Sequence, residues 1–331
     1  MSKVAVIGAG SWGTTFAKII ADGGTDVVIW SRSKQIADEI QFDAQNRKYL
    51  PGITLPNKLS GTADLALALK DKKQVYVAVP TQSLRLMLQS MKPHLKPDTI
   101  IVSLMKGVEK ASGLRPSEII IEELGIAKDS VVVVSGPNLA IEIARKEPTA
   151  AVVACEDIEL AIIVAVTSSN DYFHTFVNDD VTGTEFGGVL KNLIALAIGI
   201  VDGVGYGNNT RASIMTRGLA EVSAFAVKMG AKPETMAGLA GLGDLIATCA
   251  SPLSRNFRAG QLLGKGHSRE EIFEIMDQTA EGLASVEPIL AIAKAQKISM
   301  PIVKQINGVI SGTLAPERIA PALTSDGPRS E

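Results

Sequence analysis

The stretch Val4–Thr14, VAVIGAGSWGT, decides the fold. A short apolar run reads as a strand buried on both faces, and Gly8, Gly10 and Gly13 follow at once, at the mouth of a helix. The spacing meets three separate demands: Gly8 permits a tight turn, Gly10 lets backbone approach a pyrophosphate, and Gly13 allows the helix to pack closely on the strand. The helix start then offers unpaired N–H groups to the phosphates. A glycine turn serving only packing reads alike in isolation; following an apolar strand within a βαβ pattern, it points to a dinucleotide.

Working outward, the runs DVVIWS, QVYVAVP, TIIVSLM, SVVVVSGP and TAAVVACE repeat the Val/Ile-rich strand pattern. Helical patterns fall between such runs at 12–22, 33–41, 83–91, 115–124 and 138–146. Strands alternating with helices predict a doubly wound, mostly parallel α/β sheet of the Rossmann type. From about Phe186 onward strand runs stop and helical periodicity takes over, in RASIMTRGLAEVSAFAVKMG for example. The predicted organisation is a Rossmann domain over 1–185, an all-α substrate domain over 186–316 and a disordered Pro- and Ser-rich tail over 317–331.

Composition narrows the function classes. With 331 residues, two full cores are affordable, and a net charge of −2 carries no footprint for nucleic acid or anionic membrane. No run approaches the roughly 18 apolar residues that a membrane span needs. The start MSKVAVIGAG lacks a charged leader with a cleavage site, so a cytoplasmic protein is expected. Cys155 and Cys249 have no CxxC or Cys/His partners and read as buried thiols, with no metal site implied.

The acidic residue that holds a ribose in NAD sites belongs after the second strand; here DVVIW is followed by SRSK, with Arg32 and Lys34 and no carboxylate. That favours NADP over NAD, although an arginine can also stack on adenine without a 2′-phosphate. The other strand ends lead to Lys106 and to Gly136 and Asn138 in SGPN, beside the expected cofactor mouth. Lys106 could equally be a solvated loop lysine, and SGPN only a turn into a helix.

Hydride transfer from an alcohol needs a base for the hydroxyl proton. His94, His174 and His267 lie in contexts that read as structural. Lys191, in EFGGVLKNLIALAIGIV, has Gly187, Gly188, Ile194 and Ala195 as helical neighbours, none able to pair with it. A lysine buried there without a local partner is a candidate base, unless its stem reaches water at the core rim. Downstream, Asp244 in GLAGLGDLIATC needs a partner such as an ammonium, and Ser254, Arg255 and Asn256 open a helix as a phosphate-sized anion site or a capped surface turn.

With these residues in hand, the chain resembles the bacterial NAD(P)-dependent glycerol-3-phosphate dehydrogenases. The resemblance rests on VIGAGSWGTTFA, NRKYLPGITLP, VYVAVPTQSL, SLMKGVE, VVVVSGPNLAIEI, the long run from EFGGVLKN to TRGLAE, GLAGLGDLIATCASPLSRN and AEG, in that order over nearly the whole chain. It implies Lys191 as general acid/base, with Asn192 orienting the substrate. Lys106 would contact substrate beside the nicotinamide, Gly136 and Asn138 would line the substrate site, and Asp244 and Thr248 would join the polar network around the lysines. Ser254, Arg255 and Asn256 would hold the substrate phosphate, Arg255 also reaching the cofactor. Ser11, Trp12, Arg32, Ala140, Thr279 and Glu281 would fall on cofactor positions. Asn138 stands where the family often has Ser or Thr, Trp12 where it has Tyr or Phe, and Thr279 where it has an aliphatic residue.

The reaction so implied interconverts dihydroxyacetone phosphate and sn-glycerol 3-phosphate with NADP or NAD, in a homodimer, supplying glycerol phosphate for phospholipid synthesis. Two rivals stay open: a β-hydroxyacid dehydrogenase of the same architecture, which would bind a carboxylate instead of a phosphate, and a dinucleotide sensor without turnover.

Overall fold

The computed structural model describes residues 4–276 and 280–319. Eight strands form one sheet: β1 (Val4–Ile7), β2 (Val27–Trp30), β3 (Leu59–Thr62), β4 (Gln74–Val77), β5 (Ile100–Ser103), β6 (Val131–Ser135), β7 (Thr149–Ala154) and β8 (Phe173–Asn178). Their order is β3-β2-β1-β4-β5-β6-β7-β8. Pairing is parallel from β3 across to β6; β7 reverses against β6, and β8 runs parallel to β7. The order therefore turns back between β1 and β4, the switch point where doubly wound sheets bind ligands outside the strands' carboxyl ends.

The predicted α/β class stands. Along β1, Val4 and Val6 enter one apolar cluster while Ala5 and Ile7 enter another, so both faces of the strand are covered, as its unbroken apolar sequence requires. β3, LSGT, is too short and polar for its sequence to announce, and pairs with β2 through its backbone.

Contacts divide the chain into two compact units. The first contains the chain up to Lys106 and from Leu114 to Thr184; the second contains Gly107–Gly113 and the chain from Glu185 onward. The seven-residue excursion comes from the middle of the Rossmann half, where Val108 joins the helical core and a methyl on Gly113 would touch Ile292. No sequence pattern marked it.

The second unit is organised by the helix Val181–Val204. This helix is long and apolar enough to cross a membrane by length and composition, although the sequence shows no uncharged run of that length. Its most apolar window is 83% buried inside the protein, as befits a core helix. It packs against the helix Arg255–Gly264 with backbone on backbone. A methyl on Gly199 would strike the Phe257 carbonyl, one on Gly203 the Gln261 carbonyl, and methyls on Gly260 and Gly264 the carbonyls of Leu196 and Ile200. The small-xxx-small spacing on both helices sets their separation.

Three residues of the tail expected from 317 onward lie within the described chain, and they are structured. Pro316–Arg318 form a 3-10 turn, Ile319 is buried, and the Tyr206 hydroxyl donates to the Glu317 carbonyl at 3.0 Å. The rest of that expectation lies outside the described residues.

Candidate functional site

In the first unit, β1 ends at Ile7 and the helix Ser11–Asp22 begins after Gly10, whose side of the helix start carries no side-chain cap. Gly8 has φ +113°, and a Cβ there would press on the Ala78 carbonyl of the neighbouring β4 end. A Cβ on Gly13 would collide with the Gly8 carbonyl, whereas one on Gly10 would meet nothing within 4 Å. Two glycines thus close the turn, and the third leaves its outer side clear beside uncapped N–H groups.

Around this turn, along the carboxyl ends of β4 and β6, buried polar atoms stand without hydrogen-bond partners. They are the Trp12 Nε1, the Thr81 and Ser135 hydroxyls and both side-chain atoms of Asn138. A buried group left unpaired costs about 1–3 kcal/mol, so such a concentration marks a surface made for a polar ligand. A dinucleotide fits: the glycine turn with Ser11 and Trp12 would hold its phosphates, and the unpaired groups supply donors and acceptors. Thr81 and Ser135 carry no assignment from sequence; their position shortly after the end of β4 and at the end of β6, in PTQSL and SGPN, was the available signal.

The remaining first-unit candidates are placed as follows. Arg32 follows β2 and is exposed. Lys106 is half-buried after β5, and its Nζ donates to the Gly136 carbonyl at 2.8 Å, joining two expected site residues through a backbone held at φ +132°. Ala140 opens the helix Ala140–Ala144, its carbonyl accepting from the Thr15 hydroxyl at 3.2 Å.

In the second unit, Lys191 lies buried in mid-helix, and the absence of a partner holds only for its own helix. Its Nζ donates to Asp244 Oδ1 in an ion pair and to Thr248 Oγ1 at 2.7 Å. Asp244 is fully buried at the start of the helix Asp244–Ala250, directly after a π-helical turn over Leu239–Gly243. Gly187 lets that turn close on the long helix, since a Cβ there would collide with the Ala240 carbonyl. The carboxylate and hydroxyl that meet this lysine come from another element of the same unit. Cys249 packs beside this pair, its thiol pushed up to about 12 by burial.

Asn192, next on the helix, donates to the Gly188 carbonyl and accepts from Asn256 Nδ2 at 2.8 Å, while Asn256 Oδ1 accepts from the Gly282 N–H at 2.8 Å. The Asn256 amide, expected on a phosphate, is thus already spanning two helices. Ser254 caps its helix by accepting from the Phe257 N–H at 3.2 Å, and Arg255 is exposed in the first turn. Glu281 opens the helix Glu281–Ala295. Thr279 lies outside the described residues. Among the described residues no group of His, Cys, Asp or Glu has metal-site geometry.

Comparison with known proteins now bears on these sites. Residues 3–161 match the family model for the N-terminus of NAD-dependent glycerol-3-phosphate dehydrogenase, and residues 180–321 match the model for its C-terminus. The chain belongs to the NAD-dependent glycerol-3-phosphate dehydrogenase family. It is 60% identical over 321 residues to the glycerol-3-phosphate dehydrogenase [NAD(P)+] of Leifsonia xyli, covering 97% of this chain and 87% of that one. The Streptomyces griseus enzyme of the same name is 45% identical over 329 residues, 99% of this chain and 98% of that one. The crystal structure of glycerol-3-phosphate dehydrogenase from Coxiella burnetii superposes with a TM-score of 0.91 at 36% identity, covering 97% and 98%. As a member of the glycerol-3-phosphate dehydrogenase family, the chain is an NAD(P)-dependent oxidoreductase.

Proposed function

We propose that this chain interconverts dihydroxyacetone phosphate and sn-glycerol 3-phosphate, with Lys191 as the group that moves the hydroxyl proton. The observation that carries the reading is the buried Lys191–Asp244–Thr248 set in the core of the second unit. When bound, the nicotinamide supplies or accepts the hydride at the substrate's central carbon. In ketone reduction the Lys191 ammonium donates a proton to the oxygen that gains charge; in alcohol oxidation the amine takes it. Asp244 stabilises the charged form and Thr248 fixes its direction, so the proton donor is oriented before substrate arrives.

Asn192 is proposed to orient the substrate from the same helix, its own amide held by Asn256. Ser254 and Arg255 are the proposed phosphate contacts, together with the first-turn N–H groups that include Asn256, whose side chain is better read as a brace. Lys106, Gly136 and Asn138 are proposed substrate contacts of the first unit, the two unpaired Asn138 atoms being its strongest support. Gly8, Gly10, Ser11, Trp12, Gly13, Arg32, Ala140 and Glu281 are the proposed cofactor residues, Lys106 and Arg255 being shared. The exposed Arg32, with no acid closing β2, supports NADPH over NADH. A homodimer in the cytoplasm, serving phospholipid synthesis, completes the proposal; family membership supports it, and the two free buried thiols suit a reducing compartment.

The test is oxidation of NADPH and NADH at 340 nm with dihydroxyacetone phosphate. Turnover that requires the phosphorylated ketone and runs faster with NADPH is expected. Folded protein that turns over a 3-hydroxy acid instead would replace the reading with the β-hydroxyacid class. Sedimentation of the purified chain tests the dimer.

A further inference from the structure

Asn46 sits in the turn after the helix Lys34–Asp43, far along the chain from the glycine loop, and is completely buried. Its Oδ1 accepts from the Tyr49 N–H at 3.3 Å, and its own carbonyl accepts from the Leu50 N–H at 2.8 Å, which pins the turn. Its Nδ2 donates twice, to the Ala9 carbonyl at 3.0 Å and to Thr14 Oγ1 at 2.8 Å. The orientation of this amide is unambiguous, because the Tyr49 N–H can only donate and the Ala9 carbonyl can only accept.

Those two acceptors bracket the glycine turn. Ala9 lies between Gly8 and Gly10, and Thr14 sits in the first turn of the helix, where its N–H closes the first helical bond to Gly10 at 2.9 Å. One planar group thus grips the turn before the exposed peptide N–H groups and again after them. Turning the Ala9 carbonyl inward onto Asn46 keeps it away from the face where phosphates approach, leaving N–H groups there and no competing carbonyl of Ala9.

We propose that Asn46 is the positioning residue of the glycine loop: it touches no ligand and holds the Gly8–Thr14 backbone in the conformation that receives a dinucleotide's pyrophosphate. This rests on the loop being the cofactor site. A side chain that only stabilised the fold would have no reason to bind the loop on both sides of its ligand-facing peptides.

Calorimetric titration of the apo-protein with NADPH and NADH tests it, comparing wild type with Asn46→Leu and Thr14→Val. The first removes both donors; the second, isosteric, removes only the helix-side acceptor and keeps the test decisive if Asn46→Leu does not fold. The expected result is a Kd for the cofactor raised about tenfold or more in Asn46→Leu and about threefold in Thr14→Val. In turnover, KM for the cofactor should rise far more than kcat falls, with KM for dihydroxyacetone phosphate unmoved. A lower unfolding temperature with Kd within twofold of wild type, in whichever variants fold, overturns the proposal. Wild type that binds neither nucleotide overturns instead the reading of the loop on which the proposal stands.

Discussion

Lys18 and Lys191 each lie in the middle of an apolar helix, nearly inaccessible, and each is paired with an aspartate. The partner of Lys18 is Asp22, four residues on along the same helix, and the Tyr172 hydroxyl donates to the same carboxylate at 2.8 Å. The partner of Lys191 is 53 residues away, delivered by a π-helical turn that only close glycine contacts make possible. A pair one turn apart settles its own charge wherever the helix goes. A pair assembled from two elements demands glycines, a bulged turn and a buried hydroxyl, none of which stability alone requires, since apolar residues of similar volume often do as well. π-turns are themselves rare and concentrate at functional sites.

The comparison breaks most visibly in turnover. Lys191→Met should reduce kcat by about 10²–10⁴, measured with saturating ketone and cofactor, while circular dichroism shows the helices intact. Its unfolding temperature falls too, because Asp244 loses its ammonium, but a variant keeping more than a tenth of wild-type turnover would make the two lysines equivalent. Lys18→Met should do the reverse: about 1–3 kcal/mol of stability lost in urea melts, since Asp22 keeps Tyr172, with kcat unchanged. Loss of turnover in that variant, at a temperature where it is folded, would erase the distinction from the other side.

Glu221 sharpens it with a buried acid that has no paired lysine in the first rank. Its carboxylate accepts from the Ile302 and Val303 N–H groups at 2.9 and 3.0 Å, capping the helix Pro301–Ile310, yet burial raises its pKa above the ordinary glutamate value. The sign follows from linkage: an acid that holds its proton more tightly when folded adds stability below its unfolded pKa and loses it as pH rises through the folded one. Wild type should therefore lose stability relative to Glu221→Gln as pH rises above the ordinary glutamate range, read as a falling unfolding temperature of wild type against the variant. A parallel pair of profiles would show that backbone donors compensate burial as fully as a lysine does.

Much of this was legible in the residues. Val4–Thr14 specified strand, turn and helix, because an apolar run followed by glycines at that spacing has few other folded solutions. Lys191 stood out because none of its helical neighbours could pair with it, the same test that Lys18 passes through Asp22. The partner was less readable: Asp244 called for a cation, but periodicity carries no information on which distant element will supply one. Asn256 shows the opposite failure, since a first-turn amide beside an arginine suits an anion, and only the packing reveals Gly282 as its acceptor's donor. Asn46 stayed hidden in NRKYLP because a satisfied buried amide looks like any loop asparagine until the loop it grips is in place.

The glycine contacts of the long helix also have a genetic consequence. At Gly218 the nearest atoms an added methyl would meet all belong to the side chain of Ile194, so trimming that neighbour to alanine, which removes them, is a second-site suppressor of Gly218→Ala. At Gly199, Gly203, Gly260 and Gly264 the obstacle includes main-chain carbonyls, which no codon can shorten. A lesion at any of these four can be repaired by reversion alone, and selection for suppressors should return the original glycine.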